Sequence, residues 1–129
     1  MHRLLTAGII ISAVALSASA QDWYHDRDAR YRGDWRPHIF LQVRTDLEHV
    51  WSGHAADRER ERIQKTEQEL TQMQGDLDHG RWDNGILNDV IDSIQKSAND
   101  TRIPPRDRAV LSDDLNRLKE FQDQHNHKP

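Results

Sequence analysis

The stretch Leu77-Asp78-His79-Gly80-Arg81-Trp82-Asp83-Asn84 decides how this chain is read. Gly80 fits the left-handed position that closes a helix, because it has no Cβ to strain there. Asp83 then offers the short oxygen acceptor that opens a new helix by capping the free N–H groups of its first turn. Trp82 before the cap and Leu87 after it have the spacing of a hydrophobic staple, and Trp82 can fold back over the last turn of the helix it leaves. So short a connection implies an antiparallel helical hairpin.

Upstream of the turn, a helix is expected over about 55–78. Ala56, Ile63, Leu70 and Leu77 recur at seven-residue steps with Thr66 and Met73 between them, a heptad-like seam. The opening, Asp57-Arg58-Glu59-Arg60-Glu61-Arg62, sets opposite charges three apart, which suits a solvated half-helix. The seam either faces its own hairpin partner or forms a homodimer contact. Downstream, a helix over 84–98 has Leu87, Val90, Ile91, Ile94 and Ala98 on one face. Asn99-Asp100-Thr101-Arg102 is turn chemistry, and Pro104-Pro105 separates it from a last helix over about 105–124 carrying Val110, Leu111, Leu115, Leu118 and Phe121. A first helix over about 38–51 has Ile39, Phe40, Val43, Leu47, Val50 and Trp51 at three and four residue steps, with Pro37 in its first turn and Gly53 as terminator.

These segments give an all-α fold, a small antiparallel bundle of three to four helices over 38–124, with a flexible tail over 125–129. Residues 1–20 read as a signal peptide. Arg3 supplies the positive start, Leu4 to Leu16 the apolar run, and Ala18-Ser19-Ala20 the cleavage site before Gln21. The run is shorter than the roughly 20 apolar residues a membrane-spanning helix needs, so no transmembrane segment is expected after cleavage, and the address is periplasmic or secreted. Residues 21–37 hold four Arg against four Asp, no aliphatic side chain larger than Ala, and Trp23, Tyr24, Tyr31 and Trp35. Such a stretch reads as a disordered linker, with too little apolar surface to offset its ordering entropy.

Charge and composition exclude several functions. Eighteen basic residues face 22 acidic ones; with Arg3 removed the balance is 17 against 22, or −5, which gives no electrostatic reason to bind nucleic acid. There is no cysteine, so disulfides, thiol catalysis and Cys-ligated metals are out. No metal site or cofactor is expected. His125-x-His127 stands on the tail, and His49 and His54 do not share a helix face. Asp76-x-Asp78-x-Gly80 resembles the start of a calcium loop, yet Arg81 stands where Gly is needed and Leu87 where a bidentate Glu is needed. Helix capping explains Asp76, Asp78 and Asp83 more simply than a loose cation site, so a weak divalent-metal binder is the last of the readings. Asp113 and Asp114 are adjacent and point to different helix faces, Asp89 and Asp92 three apart fall on the polar surface, neither pair lies in an evident cleft, and no enzyme is expected.

Leu70-Thr71-Gln72-Met73-Gln74 matches, once, the LTxxQ motif of the small periplasmic chaperones of the Spy and CpxP family, and the chain resembles that family in size, helical content and lack of cysteine. The resemblance implies a cradle-shaped antiparallel dimer holding unfolded clients, with Leu70, Thr71 and Gln74 at the binding surface. The whole layout, with segments such as LDHGRWD and PRDRAVLSDDLNRL, is also similar to a type of small secreted bacterial helical protein. That likeness brings an architecture and no activity. The function expected is a protein-interaction module of the cell envelope, with Trp51 and Trp82 as partner-binding anchors and chaperone-like client binding as the alternative.

Overall fold

The computed structural model describes residues 22–52 and 57–127; residues 1–21, which include the expected signal peptide, Gly53 to Ala56, and Lys128 and Pro129 lie outside them. Among the described residues there are five α-helices and no strand. The chain divides into two compact units at Trp35.

In the first unit, residues 22–32 form helix α1. The disordered linker expected over 21–37 is thereby corrected along most of its length. The physical reason lies in the spacing of its few large side chains. Tyr24, Arg27 and Tyr31 recur at three and four residue steps, and the Arg27 guanidinium lies over the Tyr31 ring at 4.6 Å. Trp23 meets Tyr24 edge-on at 5.1 Å, and Tyr31 meets Trp35 at 6.1 Å. Aromatic contacts thus take the place of the missing aliphatic residues.

The second unit begins with a 3₁₀ turn, Arg36–His38, and continues into α2 (Ile39–Ser52), α3 (Asp57–Asp78), α4 (Asn84–Ala98) and α5 (Pro105–Asn126). Helix α2 packs on α3 and α5, and α4 packs on α3 and α5. The expected apolar faces supply the core. Ile39, Phe40, Val43 and Leu47 of α2, Leu70 and Met73 of α3, Leu87 and Ile94 of α4, and Leu111 and Leu118 of α5 are all buried. The α3 seam is consumed inside the chain, with Ile63, Thr66, Leu70 and Met73 covered, so the homodimer contact read into it has no free apolar row.

The turn after α3 follows the sequence reading. Gly80 has φ +72°, Arg81 N–H donates to Asp76 O at 2.7 Å, and Gly80 N–H donates to Leu77 O at 3.1 Å. Those two bonds are the paired closure of a Schellman motif. The Asp83 side chain accepts from Ile86 N–H at 3.1 Å. At the next turn Asp100 accepts from Arg102 N–H at 3.0 Å, and Ile103 beside it is buried. Helix α5 extends two residues beyond the expected end, which takes His125 and Asn126 out of the flexible tail.

Candidate functional site

The connections bring the start of α2, the end of α3, the start of α4 and the end of α5 to one end of the second unit. Arg36 donates to Glu120 at 3.0 Å and Gln124 at 3.1 Å, and Gln122 donates to Asn84 and Asn88, each at 2.9 Å. Trp82 is half-buried there. Its ring lies 5.8 Å from Phe121 and 6.4 Å from Phe40, and His125 stacks on it at 3.7 Å with the planes 15° apart. The indole N–H of Trp82 has no acceptor among the described residues. Beside this cluster lies an open cleft of about 360 Å³ with Pro37, Leu77 and Phe121 as its apolar part and Asp78, Gln124 and His125 at its rim.

The motif residues Leu70, Thr71 and Gln74 do not act together. Leu70 is core. The buried Gln74 amide donates to Pro37 O at 2.7 Å and to Asp78 at 3.0 Å and accepts from Leu41 N–H at 3.3 Å, so it ties the end of α3 to an otherwise open first turn of α2. Thr71 alone of the three is exposed, and its hydroxyl bonds the Arg44 guanidinium. It lines an open groove between α2 and α3 of about 550 Å³ with Arg44, Gln64, Glu67 and Gln68. Arg44 also donates to Glu48 at 2.7 Å. Burial pushes the Glu67 carboxyl above its usual range and the Glu48 charge adds to the rise, with Arg44 opposing it. Leu41, 44% exposed, is the one large apolar side chain left open among the described residues. Its spacing of three, four and seven residues from Arg44, Thr45 and Glu48 puts it on the same face of α2.

Trp51 belongs to the opposite end of the helices. Its indole N–H donates to Ser97 Oγ at 3.1 Å. Arg62 donates to Ser93 O at 2.6 Å, to Ser93 Oγ at 2.8 Å and to Ser97 Oγ at 3.4 Å, while Thr66 donates to Ser93 Oγ at 2.6 Å. Glu59 holds Arg62 from the same helix at 2.9 Å. The sequence reading missed this polar seam. Its signal was available, since Ser93 and Ser97 fall on the apolar face of α4 with Val90 and Ile94 and leave room for a longer side chain.

The carboxylates suspected of cation binding have other duties. Asp76 accepts from Arg81 at 3.3 Å, Asp78 from Gln74, and Asp83 caps α4. No three metal-ligating side chains converge among the described residues. Asp114 is fully buried, as is Asp46. Both stand at helical spacing within the apolar rows of α5 and α2. No helix among the described residues is long and apolar enough to cross a membrane. Comparison with protein-family models, curated proteins and solved structures gives no match.

Proposed function

We propose that this chain is a non-enzymatic, exported interaction module of the cell envelope, periplasmic or secreted, and that it binds a protein partner through the α2–α3 face. The framework of the reading is an antiparallel up-down bundle of α2 to α5. It is supported by the meeting of helix starts with neighbouring helix ends at Arg36, Gln74 and Gln122. The observation that carries the binding site is the exposed Leu41 on the same face of α2 as Arg44, which lines the groove with Glu67 and Thr71. Glu48 and Glu67 give that face an acidic excess over Arg44, complementary to a basic side chain of a partner, while Leu41 offers an apolar contact next to it.

Trp51 and Trp82 then serve the fold and not the partner. Broad client holding would need an apolar surface larger than one leucine. The test is affinity capture from envelope extract on immobilised mature protein, residues 21–129, with Leu41→Asp and Glu67→Lys as comparison baits. A partner retained by wild type and lost from both folded variants is the expected result. Equal capture by all three would reject the face. Suppression of client aggregation in light scattering by wild type and both variants alike would assign client holding instead.

A further inference from the structure

The cleft at the Trp82 end lies outside the proposed protein-binding face, and its chemistry selects a different ligand. At about 360 Å³ it sits near the small end of the roughly 300–1,000 Å³ typical of small-molecule sites, enough for one ring. Arg36 and Asp78 supply one charge of each sign, so the lining favours a neutral ligand. An anion finds no free cation, because Arg36 already donates to Glu120 and Gln124. A cation meets a single carboxylate with Arg36 in the same cleft.

The remaining polar capacity has both senses. One oxygen of Asp78 is engaged with Gln74; the other accepts nothing among the described residues. Gln124 has a spare donor beyond its long 3.4 Å bond to Glu120. His125 stacks on Trp82 with its ring nitrogens unbonded among the described residues, and a neutral imidazole offers one donor and one acceptor. Hydroxyl groups, which donate and accept at once, satisfy such a set. Phe121, Leu77 and Pro37 give the apolar floor, and the negative face of an aromatic ring attracts the C–H groups of a saturated ring.

We propose that this cleft binds a single neutral sugar ring, with hydroxyls donating to Asp78 and accepting from Gln124 and His125 while the C–H face rests on Phe121. A ligand of this size with few polar anchors binds at roughly millimolar strength. The experiment titrates the full mature chain with methyl glucoside and N-acetylglucosamine, using cyclohexanol and N-acetylleucinamide as controls, and follows amide NMR shifts. Saturable shifts centred on Leu77, Phe121 and Gln124 with a sugar and not with the controls are the expected result. Asp78→Ala and Gln124→Ala, each shown to fold by circular dichroism, are expected to weaken binding at least about tenfold, the loss of one good hydrogen bond. Absence of saturable shifts with both sugars, shifts centred elsewhere, equal response to the controls, or undiminished binding in both variants would each overturn the proposal. The Leu41→Asp variant is expected to bind sugar as wild type does, so failure of the protein-binding face and failure of this cleft are read separately.

Discussion

The two ends of the α2 to α5 unit each hold a half-buried tryptophan, and they solve the same packing problem by different means. At one end Trp82 sits among Phe40, Phe121 and His125, and its indole N–H has no acceptor among the described residues. At the other, Trp51 donates to Ser97 within a hydrogen-bonded seam organised by Arg62. Stacked rings tolerate sliding, whereas a charged donor fork on a carbonyl and two hydroxyls fixes one register. The aromatic end therefore has room beside it for an open cleft, and the polar end locks the start of α3, whose first turn is otherwise charged.

The most severe way to break this comparison is to empty both ends. Trp82→Ala and Trp51→Ala are each expected to cost about 3 kcal/mol, the low end for large aromatics because both rings are only half-buried. Equilibrium denaturation with urea measures it. A loss below about 1 kcal/mol at either site would return that tryptophan to the partner-binding role expected from the sequence.

Arg62→Met comes next. It keeps much of the side-chain length and removes the charge, so Ser93 O and the hydroxyls of Ser93 and Ser97 lose the guanidinium donor. The expected cost is about 2 kcal/mol, within the range for hydrogen bonds to charged groups. Amide exchange should rise at the start of α3 and the end of α4 while the Trp82 end keeps its protection. Uniform loss of protection across both ends would show that the ends do not differ in what secures them.

A gentler pair isolates the indole nitrogens. Trp51→Phe loses a real hydrogen bond and leaves Ser97 with one donor fewer, for a cost of about 1 kcal/mol beyond the lost ring area. Trp82→Phe loses no hydrogen bond and removes a buried unpaired donor, so it is expected to cost less than its counterpart. Thermal denaturation of the two variants side by side decides the order. A reversed order would mean that water satisfies Trp82.

What was legible in the sequence was whatever punctuation and periodicity encode. Gly80 and Asp83 mark a turn in which the structure has the expected left-handed glycine and side-chain cap, and the period of Leu87, Val90, Ile91 and Ile94 marks α4 with the expected bounds. The polar residues that act inside the fold were not legible. Arg62, Gln74 and Asp114 look like solvated side chains until the helix opposite is known, because a hydrogen bond across an interface leaves no trace in either helix alone. For the same reason the pattern around Gln74 says nothing of the bonds its amide makes to Pro37, Leu41 and Asp78. Helix α1 was missed because its order rests on aromatic and cation–π contacts, which a count of aliphatic residues does not register.

The smallest effect expected tests the border of the polar end. Arg102 donates to both oxygens of Asp100, at 2.9 and 2.6 Å, and these bonds hold its carboxyl down at about 2. An unfolded aspartate has a pKa of about 3.9, so on acidification the unfolded chain takes up the proton first. The stabilisation is complete above about pH 4 and is lost as pH falls through about 2. Because Arg102 is exposed, solvent screens the pair and the contribution is small. Asp100→Asn keeps an oxygen for the Arg102 backbone N–H and removes only the charge. Melting temperatures of wild type and variant in low salt should differ at pH 6 and converge towards pH 2. Parallel curves over that range would mean that the Asp100–Arg102 pair closes its own loop without adding to the stability of the polar end.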